Sequence, residues 1–344
     1  MSVSYHYHAR LSGELSGKKR EVVYLCCIMA KFGIIGHPVQ GSKSPELFRE
    51  GYKHLSQPDG STYSYDLIDT PDFGDAWACF IRDYQAVNVT APFKEAAFRK
   101  VLELSREGKG LIAGPAARIG ATNLLVKTSA GVEAHNSDFG GILLSVAEAC
   151  YPGITAECMQ EYGDRFLVKV HQFFRQNLGG IFLQQPQALV VGTGGAGRAA
   201  AVAAAELGFA TALMNRTPEK AQALAEELPG YGFLVDPIAD FRAALRECDL
   251  ILYTLPVPLP EIAGLTVEDF AGEDRYGANA RAGKVLLEAN YKTPAFAAAA
   301  DRMEAAGCQY VSGRRWLLYQ AVTGYSCMTG LQPDCAAMAN AIFL

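Results

Sequence analysis

Apolar and polar positions recur along the chain with two periods, and the switch between them marks out the elements. From Lys31 onward, "KFGIIG", "TYSYDLID" and "AVNVT" are short apolar runs of strand character. Each is followed by a stretch with helical spacing: "SPELFREGYKHL", "PDFGDAWACFIRDY" and "PFKEAAFRKVLEL". Strand and helix alternating in this way predict a parallel α/β sheet. "GATNLLVKTSAGVEAHNSD" then reads as two strands around a polar turn at Thr128 to Gly131, which closes the first unit. A second series opens at "QALVVGTGGAGRAAAVAAAELG" and continues through "ATALMN", "DLILYT", "KVLLEAN" and "CQYVSG", with Ala-rich helices between. Two separate windings predict two α/β domains around a cleft.

Between the windings, Cys150 to Gln187 is rich in aromatics, and "DRFLVKVHQFF" spaces Phe166, Val170, Phe173 and Phe174 onto one helical face. It reads as a helical insertion at about 150–187, expected to pack on the outside of the second domain or on another subunit, away from the cleft. The tail "RRWLLYQAVTGYSCMTG" and "PDCAAMANAIFL" is helical again. The expected division is a first domain of 31–140 plus 314–344 and a second of 141–313. Residues 1–30 are expected to form a disordered extension, or the working protein is expected to begin at Met29. Their "VVYLCCIMA" follows basic residues but is short for a secretory signal and lacks a clear cleavage site.

Of 344 residues, half are hydrophobic and 19% charged, enough for two cores, and the formal charge of -5 provides no basic field for nucleic acid. No run reaches the roughly 18 apolar residues of a membrane span. The nine cysteines form no CxxC and no Cys/His cluster with metal-ligand spacing, so neither a disulfide framework nor a metal is expected, and a reducing, cytoplasmic compartment is. His6 and His8 read as solvated. The expected partner is a small-molecule substrate, with the chain a monomer or homodimer.

Gly192, Gly194 and Gly197 in "GTGGAG" have GxGxxG spacing directly between an apolar strand and a helix, the context in which that pattern binds a dinucleotide diphosphate. At the end of the next strand, roughly 20 residues on, an acidic residue marks NAD and an arginine accommodates the 2′-phosphate of NADP. Here stands "NRTPEK": Arg216, with Asn215, Thr217 and Lys220 near it, predicts NADP.

A dehydrogenase acting on an alcohol or ketone must also move a proton. Lys94, in "NVTAPFK", opens a helix where the dipole disfavours a cation, at the carboxyl end of a strand where open α/β sheets bind ligands. Asp138, in "HNSDFGG", begins another helix. Taken singly, Lys94 reads as a surface charge and Asp138 as an N-cap.

Several stretches taken together resemble shikimate dehydrogenases: "GHPVQGSKSP", "NVTAPFK", "GATN", "NSD", "GTGGAG", "NRT", "EANY" and "GRRWLLYQA", in that order over most of residues 31–330. The resemblance implies that Ser42, Ser44, Thr90, Asn123, Tyr291 and Gln320 hold a substrate's hydroxyls and carboxylate, with Lys94 and Asp138 as the catalytic pair. It implies further that Gly192, Thr193, Gly194, Gly195 and Ala196 cradle the diphosphate of NADP. Asn215, Arg216, Thr217 and Lys220 would receive its 2′-phosphate, and Ala289 and Gly313 would approach the nicotinamide. The second domain would then be of Rossmann type, and the final helices would return to the first. The implied activity is NADPH-dependent reduction of 3-dehydroshikimate to shikimate. Quinate as substrate, or a nucleotide-binding regulator without catalysis, are the alternatives. The sequence departs from the family pattern at Gly41 (for histidine), Leu124 (threonine), Phe139 (glycine), Glu288 (aspartate) and Trp316 (methionine). At "YTLPVP", Leu255 and Pro256 offer no hydroxyl to a ribose.

Overall fold

The computed structural model describes residues 10–11, 22–23, 30–53, 63–272 and 283–343. Of the N-terminal extension only the antiparallel pair Arg10–Leu11 and Val22–Val23 is described, so the expectation of disorder there lies outside the described residues.

The first sheet runs, edge to edge, through Tyr63–Asp69, Ala30–Gly36, Ala86–Val89, Leu124–Thr128, Gly131–His135 and Gly110–Ile112. Its first three strands are parallel, as the strand–helix alternation requires, but the hairpin joins antiparallel and makes the sheet mixed. Gly110–Ile112 pairs parallel with Gly131–His135 at the far edge. At three residues it is too short to show a period, and the sequence did not reveal it.

The second sheet is wholly parallel: Leu234–Val235, Ala210–Met214, Gln187–Val191, Leu250–Tyr253, Val285–Glu288 and Gln309–Val311. Numbered along the chain this is the order 3-2-1-4-5-6 of a Rossmann sheet, with its switch point between Gln187–Val191 and Leu250–Tyr253. The turn after Gln187–Val191 is the glycine-rich "GTGGAG".

Helices Ser137–Cys150 and Gly313–Thr329 pack along each other beside both sheets. Every residue of Ser137–Cys150 except Glu148 is buried, and Glu148 accepts from the amides of Gly153 (2.6 Å) and Thr155 (3.1 Å), capping the next helix. The final helix Cys335–Phe343 packs against Ser44–Tyr52, returning the chain to the first domain.

The insertion forms helices Ile154–Tyr162 and Phe166–Ile181. Phe166, Val170 and Phe174 are buried in the main core, whereas Phe173 is half-buried with its edge on Tyr151. The face lies on helix Gly195–Leu207 and on Ser137–Cys150, and Phe174 stacks near Phe209. His171 Nε2 and Arg175 Nη1 each donate to the Glu206 carbonyl at 2.9 Å, at the C-terminal end of the helix that follows the glycine-rich turn. Among the described residues no single helix is long and apolar enough to cross a membrane.

Candidate active site

The carboxyl end of the first sheet and the edge of the second enclose a cavity of about 190 Å³. Ser42, Ser44, Thr90, Asn123, Tyr291 and Gln320 all line it, together with Lys94, Asp138, Ala196, Ala289 and Gly313. Two helix starts meet there. Lys94 is the first residue of Lys94–Arg106, and Asp138 the second of Ser137–Cys150, so the two side chains converge from different helices. Lys94 Nζ donates to Asp138 Oδ2 in a mostly buried ion pair, the side chains 16% and 5% exposed. The carboxylate sits where a helix dipole favours an anion, and it in turn favours the ammonium that its own helix start would disfavour. Taken singly Asp138 resembled an N-cap, but the cap is Asn136, whose Oδ1 accepts from Phe139 N at 3.3 Å, leaving Asp138 free to face the cavity.

Along one wall Ser42 Oγ donates to Ser44 Oγ at 3.2 Å, and nearby the Tyr291 hydroxyl accepts from Lys43 N at 3.3 Å. Burial raises the Tyr291 phenol above its usual range, so it remains a donor at neutral pH. Elsewhere in the lining Asn123 Nδ2 donates to Ser137 Oγ (3.0 Å) and to Gln320 Oε1 (3.3 Å), while its Oδ1 accepts from Ser137 N at 2.7 Å. Tyr291 comes from the second domain, and its loop is held from beneath by Glu288. That carboxyl is fully buried and accepts from Ala295 N, from Phe296 N at 3.2 Å and from the Tyr310 hydroxyl at 3.1 Å. Glu288 in place of aspartate therefore still ties down the loop. Lys292 Nζ closes the other side by donating to Gln40 O at 3.1 Å, above Gly41.

Asn88 also lines the cavity, and the sequence reading did not single it out. It is buried, accepts from the Tyr65 hydroxyl at 2.6 Å and donates to Asn123 O at 3.3 Å. A lone amide inside an apolar strand, where asparagine is depleted, was the available signal. Trp316, Leu317, Ile34 and Val89 supply the apolar lining. A larger groove of about 560 Å³ lies in the insertion and contains none of the expected site residues.

Thr193, Gly194, Gly195, Asn215, Arg216, Thr217 and Lys220 lie outside this cavity, at the carboxyl ends of Gln187–Val191 and Ala210–Met214. The turn fits a diphosphate. Gly192 has φ +98°, and a Cβ on Gly197 would stand 1.9 Å from Gly192 O, so the chain follows a path that only glycines allow. Nothing lies within 4 Å of a Cβ placed on Gly194, which leaves the backbone open to a ligand. Thr193 Oγ1 is buried with no hydrogen-bond partner in the protein. Asn215 is buried, its Nδ2 donating to Thr217 O at 2.9 Å, while Arg216, Thr217 and Lys220 are exposed. Among the described residues Arg216 and Lys220 enter no ion pair. The turn and the cavity adjoin: a Cβ on Gly195 would stand 3.0 Å from Lys94 Cβ.

Comparison with known proteins bears on the family and the fold. A family model described as the shikimate dehydrogenase substrate binding domain matches residues 34–125, and one for shikimate / quinate 5-dehydrogenase matches 175–274. A shikimate dehydrogenase (NADP(+)) of Thermus thermophilus is 30% identical over 317 residues, covering 91% of this chain and 97% of that one. That of Acidiphilium cryptum is 30% identical over 305 residues, covering 88% and 91%. The crystal structure of shikimate 5-dehydrogenase from Thermus thermophilus in complex with NADP(H) and shikimate superposes with a TM-score of 0.63 at 27% identity, covering 92% of this chain and 99% of that one. A quinate dehydrogenase from Corynebacterium glutamicum in complex with NAD shares the fold, with a TM-score of 0.65 at 19% identity over 92% and 99% of the two chains.

Proposed function

The chain belongs to the shikimate/quinate dehydrogenase family, and we propose that it is an NADP-dependent oxidoreductase that reversibly reduces 3-dehydroshikimate to shikimate, on the route to chorismate and the aromatic amino acids. The observation that carries this reading is the Lys94–Asp138 pair, on the wall of a cavity that the cofactor-side residues Ala196, Ala289 and Gly313 also border.

Bound NADPH supplies the hydride that adds to the ring carbonyl carbon. Lys94 donates a proton from Nζ to the carbonyl oxygen as negative charge develops there, yielding the alcohol, and is reprotonated from solvent. Asp138 fixes the ammonium in direction and keeps its charge favourable inside a site largely closed to water. In the oxidative direction the same nitrogen, deprotonated, takes the hydroxyl proton. Ser42, Ser44 and Tyr291 hold the carboxylate, and Thr90, Asn123 and Gln320 orient the ring hydroxyls. The backbone of Gly192–Ala196 receives the diphosphate at a helix start. Arg216, exposed and free of a carboxylate partner among the described residues, receives the 2′-phosphate with Asn215, Thr217 and Lys220.

Purified protein mixed with NADP+ and either shikimate or quinate tests the reading through the absorbance of the reduced cofactor. Turnover with shikimate is expected. Turnover with quinate alone would reassign the substrate, and NADP binding without turnover on either would favour a non-catalytic nucleotide-binding protein. The same reading assigns the enzyme to the cytoplasm as a monomer or homodimer, which light scattering distinguishes.

A further inference from the structure

Thr254 stands just past the end of strand Leu250–Tyr253, which neighbours Gln187–Val191 at the switch point. Its amide continues the ladder, donating to Val191 O at 2.8 Å. Its side chain does something the ladder does not require: Oγ1 lies 3.0 Å from Val191 O and 3.2 Å from Gly192 O, with both carbonyls as acceptors for its single proton. The fit is close. A Cβ on Gly192 would stand 2.6 Å from Thr254 Oγ1, and one on Gly197 would stand 3.1 Å from it.

In a trans peptide the C=O and the following N–H point in opposite directions. Holding the Gly192 carbonyl against Thr254 therefore aims the Thr193 amide away from Thr254, out of the front of the turn. Among the described residues no backbone carbonyl outside the helical ladder accepts from the amides of Thr193, Gly194, Gly195 or Ala196, which remain as donors at the start of helix Gly195–Leu207. The other hydroxyl at this strand end is already engaged: Tyr253 Oη donates to Val257 O at 2.8 Å and accepts from Leu259 N at 3.0 Å. Leu255 and Pro256 have none.

We propose that Thr254 is a positioning residue for the cofactor. Its hydroxyl, anchored on the Val191 and Gly192 carbonyls, fixes the rear of the glycine-rich turn so that the turn's amides meet the diphosphate of NADP, although Thr254 itself does not touch the ligand. This rests on the reading that the turn binds NADP.

Thr254→Val keeps the shape and removes the hydroxyl. Calorimetric titration without substrate should then show the Kd for NADP+ rising roughly 3- to 10-fold, the range one net intramolecular hydrogen bond typically supplies. Adenosine 2′-monophosphate, which carries the 2′-phosphate and no diphosphate, should bind the variant as it binds wild type, and so should shikimate in its binary complex. Thr254→Ser, which retains the hydroxyl, should restore NADP+ affinity. If Thr254→Val does not fold, Thr254→Ala and Thr254→Ser provide the same comparison. An unchanged NADP+ affinity, an equal loss for adenosine 2′-monophosphate, or no recovery with serine would overturn the proposal. Wild-type protein that bound neither nucleotide would instead overturn the reading of the turn as an NADP site.

Discussion

Replacing Lys94 with methionine separates the chemical role of the ammonium from the packing of its stem. The stem lies against Gly195 of the glycine-rich turn, so Lys94→Ala would open that contact as well, whereas Lys94→Met largely fills it. Losing a general acid lowers turnover by about 10²–10⁴-fold, or about 2.7–5.5 kcal/mol of barrier. Stability falls for a different reason. Asp138, its side chain 5% exposed, is left as an unpaired buried carboxylate, and breaking such a pair from one side costs about 3–5 kcal/mol. The helix dipole at the second position of Ser137–Cys150 favours the carboxylate in wild type and variant alike and offsets none of this, so a loss of about 3–5 kcal/mol is expected. Adding Asp138→Asn removes the stranded charge and should recover most of that stability while restoring no turnover. Urea unfolding of wild type, both single variants and the double variant gives the stability cycle, and single-turnover oxidation of NADPH with 3-dehydroshikimate gives the chemical step. NADP+ affinity should hardly change. A Lys94→Met enzyme retaining more than about a tenth of wild-type turnover would refute the general-acid role, and a double variant no more stable than Lys94→Met would refute the buried-charge argument.

Arg216→Ala should weaken NADP about 10–100-fold, the contribution of a charge-assisted bidentate contact, and NAD far less; equal losses in parallel titrations would mean the guanidinium does not read the 2′-phosphate. Burial raises the Glu288 carboxyl above its ordinary 4.5, so the folded protein keeps a proton that the unfolded chain releases. The stability from this group is therefore full below 4.5 and declines as pH rises to the folded value. Glu288→Gln should flatten that part of a pH series of denaturant midpoints, and an unchanged slope would exclude the carboxyl as its source. Phe174→Ala, at a fully buried ring, should cost about 3–5 kcal/mol while the folded enzyme keeps its Michaelis constants; a loss below about 1 kcal/mol would show that the insertion helix is not integral to the core.

The major strands were legible because each is an apolar run ended by turn residues, and the two windings because the glycine-rich turn restarts the pattern. Leu234–Val235 and Gly110–Ile112, of two and three residues, lie outside the apolar runs read as strands and emerge only from pairing with longer neighbours. The mixed first sheet follows from one local fact: a hairpin can place its strands beside Ala86–Val89 only with one of them antiparallel to it. At the cavity, Lys94 was legible as a charge that its helix start opposes. Asp138 was legible only through the family resemblance, because an acid near a helix start has an ordinary explanation, and the geometry of Asn136 removes it. Asn88 escaped notice because its partners, Tyr65 and Asn123, are 23 and 35 residues away in sequence.

Phe139, noted in the sequence as a departure from the glycine of the family pattern, stands directly beside Asp138. In the fold its ring is turned the other way. The Arg118 guanidinium lies 5.6 Å from the ring centre, and the imidazole of His171, on the insertion helix, meets the ring nearly edge-on at 6.4 Å and 80°. Arg118 pairs with the Glu206 carboxylate, which also accepts from the Tyr231 hydroxyl at 2.8 Å, and the backbone oxygen of Glu206 receives His171 and Arg175. A glycine would leave a void between Arg118 and the insertion helix, and Phe139, only 4% exposed, fills it. Successive residues on a helix project about 100° apart, so the ring that packs against the insertion does not compete with the Asp138 carboxylate directed at Lys94. The substituted residue and the inserted helix are thus two halves of one packed contact, which braces the start of the Asp138 helix from behind and leaves its cavity face to the ion pair.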